Sequence, residues 1–110
     1  MPKSKLHHWF LLLPLMLLPM FTQAETSQIE IVSTYKFNKD KPEVPNEALI
    51  VRAGIPGVFV IHENQARFRM VRTGKSQQRF TSILSGLKNN DAVIRDPGAL
   101  FDGQDIKVQP

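Results

Sequence analysis

The chain has 110 residues, no cysteine, three histidines and a formal net charge of +4. The missing thiols exclude a disulfide scaffold, a thiolate metal site and a cysteine-linked lipid anchor. Lys3 and Lys5 supply two of the excess charges, so residues 25–110 carry twelve Lys/Arg against ten Asp/Glu, a balance too mild to imply nucleic acid as a partner.

Lys3 and Lys5 precede an uncharged apolar run from Trp9 to Phe21, which is followed by Thr22-Gln23-Ala24 and then Glu25. Positive, apolar and small-residue segments in that order describe an export signal. Thirteen helical residues reach only about 20 Å against roughly 30 Å of bilayer hydrocarbon, and Pro14 and Pro19 interrupt the run. A permanent span is therefore disfavoured. The reading is a helical signal peptide over 1–24, cleaved between Ala24 and Glu25, with the product delivered to the periplasm. Removing 24 of 110 residues leaves 86, enough for one small domain.

Gln28 to Phe37 is rich in Ile, Val, Thr, Tyr and Phe, which favours a strand, and Asn38 to Pro42 reads as a polar turn. Pro42 and Pro45 exclude a helix there. Ala48-Leu49-Ile50-Val51, within Asn46 to Arg52, fits a short buried strand that Gly54-Ile55-Pro56-Gly57 ends. Val58-Phe59-Val60-Ile61 is a second apolar run. His62-Glu63-Asn64-Gln65 connects it as a hairpin to Ala66-Arg67-Phe68-Arg69-Met70-Val71-Arg72. In that segment Arg67 and Arg69 fall on one face, and Phe68 and Met70 on the other. Thr73-Gly74-Lys75-Ser76 reads as a turn, Gln78 to Leu84 as a strand, and Leu87 to Asp91 as at most one helical turn. Ala92 to Arg95 is another short strand, broken at Asp96-Pro97-Gly98. Asp102-Gly103 leads into a last strand at Asp105 to Val108. Short strands at roughly 10-residue spacing predict an all-β fold, a small sandwich, roll or barrel.

The charges are unevenly spread. Arg67, Arg69, Arg72, Lys75, Arg79 and Lys88 lie in a stretch from Asn64 to Asn90 without an acid, whereas Asp91, Asp96, Asp102 and Asp105 gather in the last twenty residues. Arg67, Arg69, Arg72, Lys75 and Arg79 form a candidate docking face for an acidic partner, set against the plainer reading of a solvated face. Phe68, Met70 and Phe80 fall on the opposite face by strand periodicity and cannot stack bases beside the arginines.

Motifs that carry chemistry are weak. Gly74-Lys75-Ser76 matches the end of a phosphate-binding loop, but Arg69 stands where its first glycine belongs. His62 lacks companions at a metal-ligand spacing, Ser76, Ser82 and Ser85 lack a nucleophile-elbow context, and Asp102 to Asp105 lacks the loop of an EF-hand. Neither an enzyme nor a metal or other cofactor is expected.

Several blocks nevertheless follow one another in a specific order: Val44-Pro45-Asn46-Glu47-Ala48-Leu49-Ile50, Gly57-Val58-Phe59-Val60-Ile61 with Glu63-Asn64, and Val71-Arg72-Thr73-Gly74. They continue with Ile83 to Ile94 and end at Asp102-Gly103-Gln104-Asp105-Ile106-Lys107-Val108. From Val44 to Val108 the chain resembles the C-terminal, membrane-proximal domain of the periplasmic adaptor subunits (membrane fusion proteins, HlyD-like) of RND-type efflux pumps. The resemblance implies a β-roll that docks on an inner-membrane transporter, and a division into signal peptide (1–24), strand-like linker (25–43) and adaptor-like domain (44–110). It also implies that the nineteen residues between Ala24 and Val44 replace the helical hairpin, lipoyl-like domain and barrel of longer adaptors, leaving a sheet edge without its family strand.

The expected function is that of a short periplasmic adaptor that binds an RND-type transporter or a full-length adaptor during export, with membrane association through that partner. Two other readings compete: a small periplasmic ligand- or metal-binding β module, and a decayed adaptor remnant without activity.

Overall fold

The structure is a computed structural model that describes residues 28–110. The export signal and its cleavage point between Ala24 and Glu25 lie outside the described residues. Ten strands follow in order: β1 (Glu30–Val32), β2 (Thr34–Lys36), β3 (Glu43–Pro45), β4 (Ile50–Arg52), β5 (Ile55–His62), β6 (Gln65–Met70), β7 (Arg72–Ser76), β8 (Phe80–Ser85), β9 (Ala92–Ile94) and β10 (Ile106–Val108). One 3₁₀ turn, Asn46–Ala48, separates β3 from β4. The domain is all-β, with a sheet curled into a half-barrel.

β5 is the hub because its apolar run has something to bury on both sides. It pairs antiparallel with β6 along Gly57 to His62 on one edge. On the other edge it meets β4 at Ile55 to Gly57 and β9 at Val60, and β2 extends the sheet beyond β9. Alternation sends Val58 and Val60 to one face, where they join Phe37, Val44, Val71, Ile83 and Val93. Phe59 faces the other way, into Val32, Ala66, Ile94, Leu100 and Ile106, with Ile61 and Phe68 packed alongside. Burial of each Val, Leu, Ile or Phe side chain among these contributes about 1.5–3 kcal/mol.

The hairpin turns have a local cause. Ala53-Gly54 and Glu63-Asn64 all take positive φ (52°, 80°, 52° and 63°), the two-residue geometry whose twist matches that of the flanking strands. The reversal before β5 is thus made by Ala53-Gly54, and Ile55-Pro56-Gly57, expected to end a strand, begins one. Gly57 is required there: a Cβ would stand 2.3 Å from Cζ of Phe68. The Phe68 ring occupies the space over that glycine and meets Phe59 edge-on, with centroids 5.8 Å apart. Arg52 closes this face, its guanidinium 5.0 Å from the Phe59 ring and donating to the Leu100 carbonyl at 2.7 Å.

A second sheet, in the order β3-β8-β7, packs Val44 and Ile83 against the β5 face that holds Val58 and Val60. Within the segment expected as a strand-like linker over 25–43, the described residues supply β1 and β2. β2 pairs with β9, and β1 runs parallel to β10. Ser33 breaks what the sequence suggested as one strand, and its carbonyl accepts from the Arg95 amide. β10, the last strand expected from the sequence, takes β1 as its partner. The residues just before it cover the outer edge of β6: Gly103 N donates to Ala66 O, Ala66 N donates to Gln104 O, and Phe68 N donates to an Asp102 carboxylate oxygen at 2.8 Å. Those edges are covered by the chain's own residues.

Three further expectations change. Asn46 to Arg52 is a 3₁₀ turn and an edge strand rather than a buried strand, and Val51 is 67% exposed. Thr73 to Ser76 is strand, not turn; the reversal lies between Ser76 and Phe80. Met70 sits on the same face as Phe68 yet is 60% exposed, because it lies opposite Gly57, which offers no side chain to pack against.

Candidate functional site

The five basic residues Arg67, Arg69, Arg72, Lys75 and Arg79 are divided between two sheets. Arg67 and Arg69 lie on β6, opposite Val60 and Val58. Arg72 and Lys75 lie on β7, and Arg79 in the turn that joins β7 to β8. Val71, buried between β6 and β7, anchors the crossing and donates its amide to Pro56 O.

The two groups also differ in charge compensation. Arg69 Nη1 is 3.2 Å from an Asp91 carboxylate oxygen, with the side chains 36% and 20% exposed. The same oxygen accepts the Lys88 amide at 2.7 Å, which fixes the carboxylate in place. Arg67 lies 3.7 Å from Asp102, itself held by the Phe68 amide. Acids from the last twenty residues thus pair with two of the five cations in the face that the sequence presents as purely basic. Arg72, Lys75 and Arg79 are exposed and form no ion pair among the described residues.

The β7–β8 hairpin that carries these three cations is held by a polar clasp. Asn46 Nδ2 donates to the carbonyls of Gln77 and Gln78, each at 3.1 Å, and its backbone amide donates to Arg79 O at 2.9 Å. The hydroxyl of Thr81, 4% exposed, donates to Asn46 Oδ1 at 2.6 Å and shares a 2.9 Å hydrogen bond with Ser76. One side chain therefore ties the 3₁₀ turn to the whole hairpin tip. Pro45 favours this arrangement by fixing the backbone just ahead of Asn46. Ser76, which the sequence offered as a nucleophile and as the end of a phosphate-loop motif, is part of the clasp.

β7 is irregular as well. Thr73 is opposite Ile83 and Ser76 opposite Thr81, so β7 holds one residue more than β8 between these pairs. Such a bulge bends a strand and re-aims its side chains, and it falls at Gly74-Lys75. The edge is thereby blunted against pairing with another strand while Lys75 remains exposed.

His62 ends β5, exposed, with Glu63 at 3.9 Å. Sequence reasoning missed Asn46 and Thr81, which are thirty-five positions apart and give no local signal. It also missed the pairing of Asp91 and Asp102 with the arginines, although the segregation of acids and bases was visible.

The fold and its blocks correspond to a known domain type. Residues 41–108 match the family model described as YknX, C-terminal permuted SH3-like domain, YknX being an adaptor-type (membrane fusion) protein. No curated protein matches the chain significantly. The match begins after β1 and β2, which the chain supplies from outside the matched region. A small curled β domain with family residues running from β3 through β10 supports one conclusion: the chain belongs to the family of the YknX C-terminal permuted SH3-like domain, the C-terminal domain of an adaptor-type protein.

Proposed function

We propose that this domain works in the periplasm as an adaptor subunit of an RND-type, HlyD-like efflux system, docking on the inner-membrane transporter or on a full-length adaptor. The role is one of assembly and not of catalysis, and association with the membrane runs through the partner. The observation that carries this reading is the adaptor-type domain match over 41–108. The basic β7–β8 hairpin supports it, because exposed and uncompensated charge suits electrostatic docking.

The test is recovery of the partner. The full chain, tagged at its C-terminus and expressed in its native host, is crosslinked in cells and purified from solubilised membranes. Mass spectrometry should find an inner-membrane transporter or a full-length adaptor enriched over an untagged control. Enrichment of neither, with the tagged domain folded and exported, overturns the proposal.

A further inference from the structure

We infer that the β7–β8 hairpin is the docking element, that its partner is a carboxylate-bearing protein surface, and that Asn46 positions the hairpin for this contact. The inference rests on the adaptor reading above and narrows it to one element and one chemistry.

The narrowing follows from where the charges go. Of the five cations, Arg67 and Arg69 already face Asp102 and Asp91, and swapping those partners for another protein's carboxylates would exchange one ion pair for another with little net gain. Arg72, Lys75 and Arg79 have no such partner among the described residues. No acid occurs from Asn64 to Asn90, so the hairpin carries no anion of its own.

Pre-organisation is the second argument. A hairpin tip normally loses conformational freedom on binding, and that loss subtracts from affinity. Here the tip is fixed beforehand, because Gln77, Gln78 and Arg79 each give a carbonyl to Asn46. Thr81 and Ser76 lock the base of the same tip. An interior that needed only stability has no use for the buried Thr81 hydroxyl where an apolar side chain suffices, whereas an exposed tip of fixed shape has one. The bulge at Gly74-Lys75 disfavours simple strand addition and so favours side-chain contact.

Lys75 makes the idea directly testable, since a carbodiimide joins an amine to a carboxylate without a spacer. In membranes containing the full chain, the expected product is a Lys75-to-Asp/Glu crosslink to a transporter or adaptor. Lys75→Arg should keep partner capture but lose that product. Reversal of Arg72, Lys75 and Arg79 to Glu should weaken capture about tenfold, as should raising salt well above the physiological level. Asn46→Ala should lower the Lys75 crosslink several-fold while circular dichroism and the yield of folded protein are retained. Because a merely structural asparagine would change melting without changing the salt dependence of capture, that dependence is measured as well.

Capture that survives the triple reversal, or crosslinks confined to Lys36, Lys39, Lys41, Lys88 or Lys107, overturns this inference and leaves the adaptor reading standing. Binding of the wild-type chain to vesicles of phosphatidylethanolamine and phosphatidylglycerol, lost on the same reversal with no protein crosslink, assigns the hairpin to lipid phosphate and overturns it too. Failure of the wild-type chain to capture any transporter or adaptor removes both readings.

Discussion

The sheet built on β5 and the sheet β3-β8-β7 are made from similar short strands, yet they solve different problems. β5 is buried on both faces, and the arginines of its neighbour β6 are matched by Asp91 and Asp102. The smaller sheet buries one face through Val44, Thr81 and Ile83, and leaves its cations facing solvent. The arginines of β6 are compensated, and the cations of the β7–β8 hairpin are not. A run of basic residues that looks uniform in sequence is therefore two things in space, a set of internal clasps and an accessible surface.

The comparison breaks first in the core. Phe59→Ala should cost about 3–5 kcal/mol in denaturant titration, on the scale of the whole stability expected for a domain this size. A loss under about 1 kcal/mol would mean that the two-faced packing of β5 is misassigned. Gly57→Ala comes next. Its new methyl meets the Phe68 ring, so a loss of about 1–3 kcal/mol is expected, and Gly57→Ala combined with Phe68→Ala should be less costly than the sum of the two. Additivity of the pair would deny the contact.

Asn46→Ala should cost about 1–2 kcal/mol by thermal or chemical melting, because it removes the acceptor of the Thr81 hydroxyl and the donor to two carbonyls. Hydrogen exchange should speed up in Gln77 to Thr81 and stay slow in β5; uniform acceleration would argue against a local clasp. The smallest effects separate the two sets of cations. Asp91→Ala is expected to cost about 1 kcal/mol through Arg69 and the Lys88 amide. Arg72→Ala, Lys75→Ala and Arg79→Ala should each stay within about 0.5 kcal/mol of wild type, and a larger loss at these positions would show that they are structural.

Several elements were legible because their signal is local. Val58-Phe59-Val60-Ile61 is continuous and apolar, and it became the doubly buried strand. Glu63-Asn64 adopts the left-handed pair that a two-residue hairpin needs. Alternation assigned Arg67 and Arg69 to one face of β6. Errors arose where a distant partner outweighs local preference. Leu49-Ile50-Val51 reads as core, but Asn46 bonds to the Gln77–Arg79 tip and turns the backbone first. Gly74-Lys75 reads as a turn, but pairing with β8 keeps it in strand with a bulge.

The sequence alone determined the β class, the adaptor-type character of the segment from β3 to β10 and the cysteine-free character, because composition, alternation and the order of turn residues act over a few positions. Only the tertiary structure decided which cations stay uncompensated, which residues complete the sheets and what holds the hairpin. Each depends on groups tens of residues apart meeting: Arg67 with Asp102, β1 with β10, Asn46 with Thr81. Periodicity carries no information about such pairs, since ion pairs and hydrogen bonds depend on distance in space, which the folded chain sets.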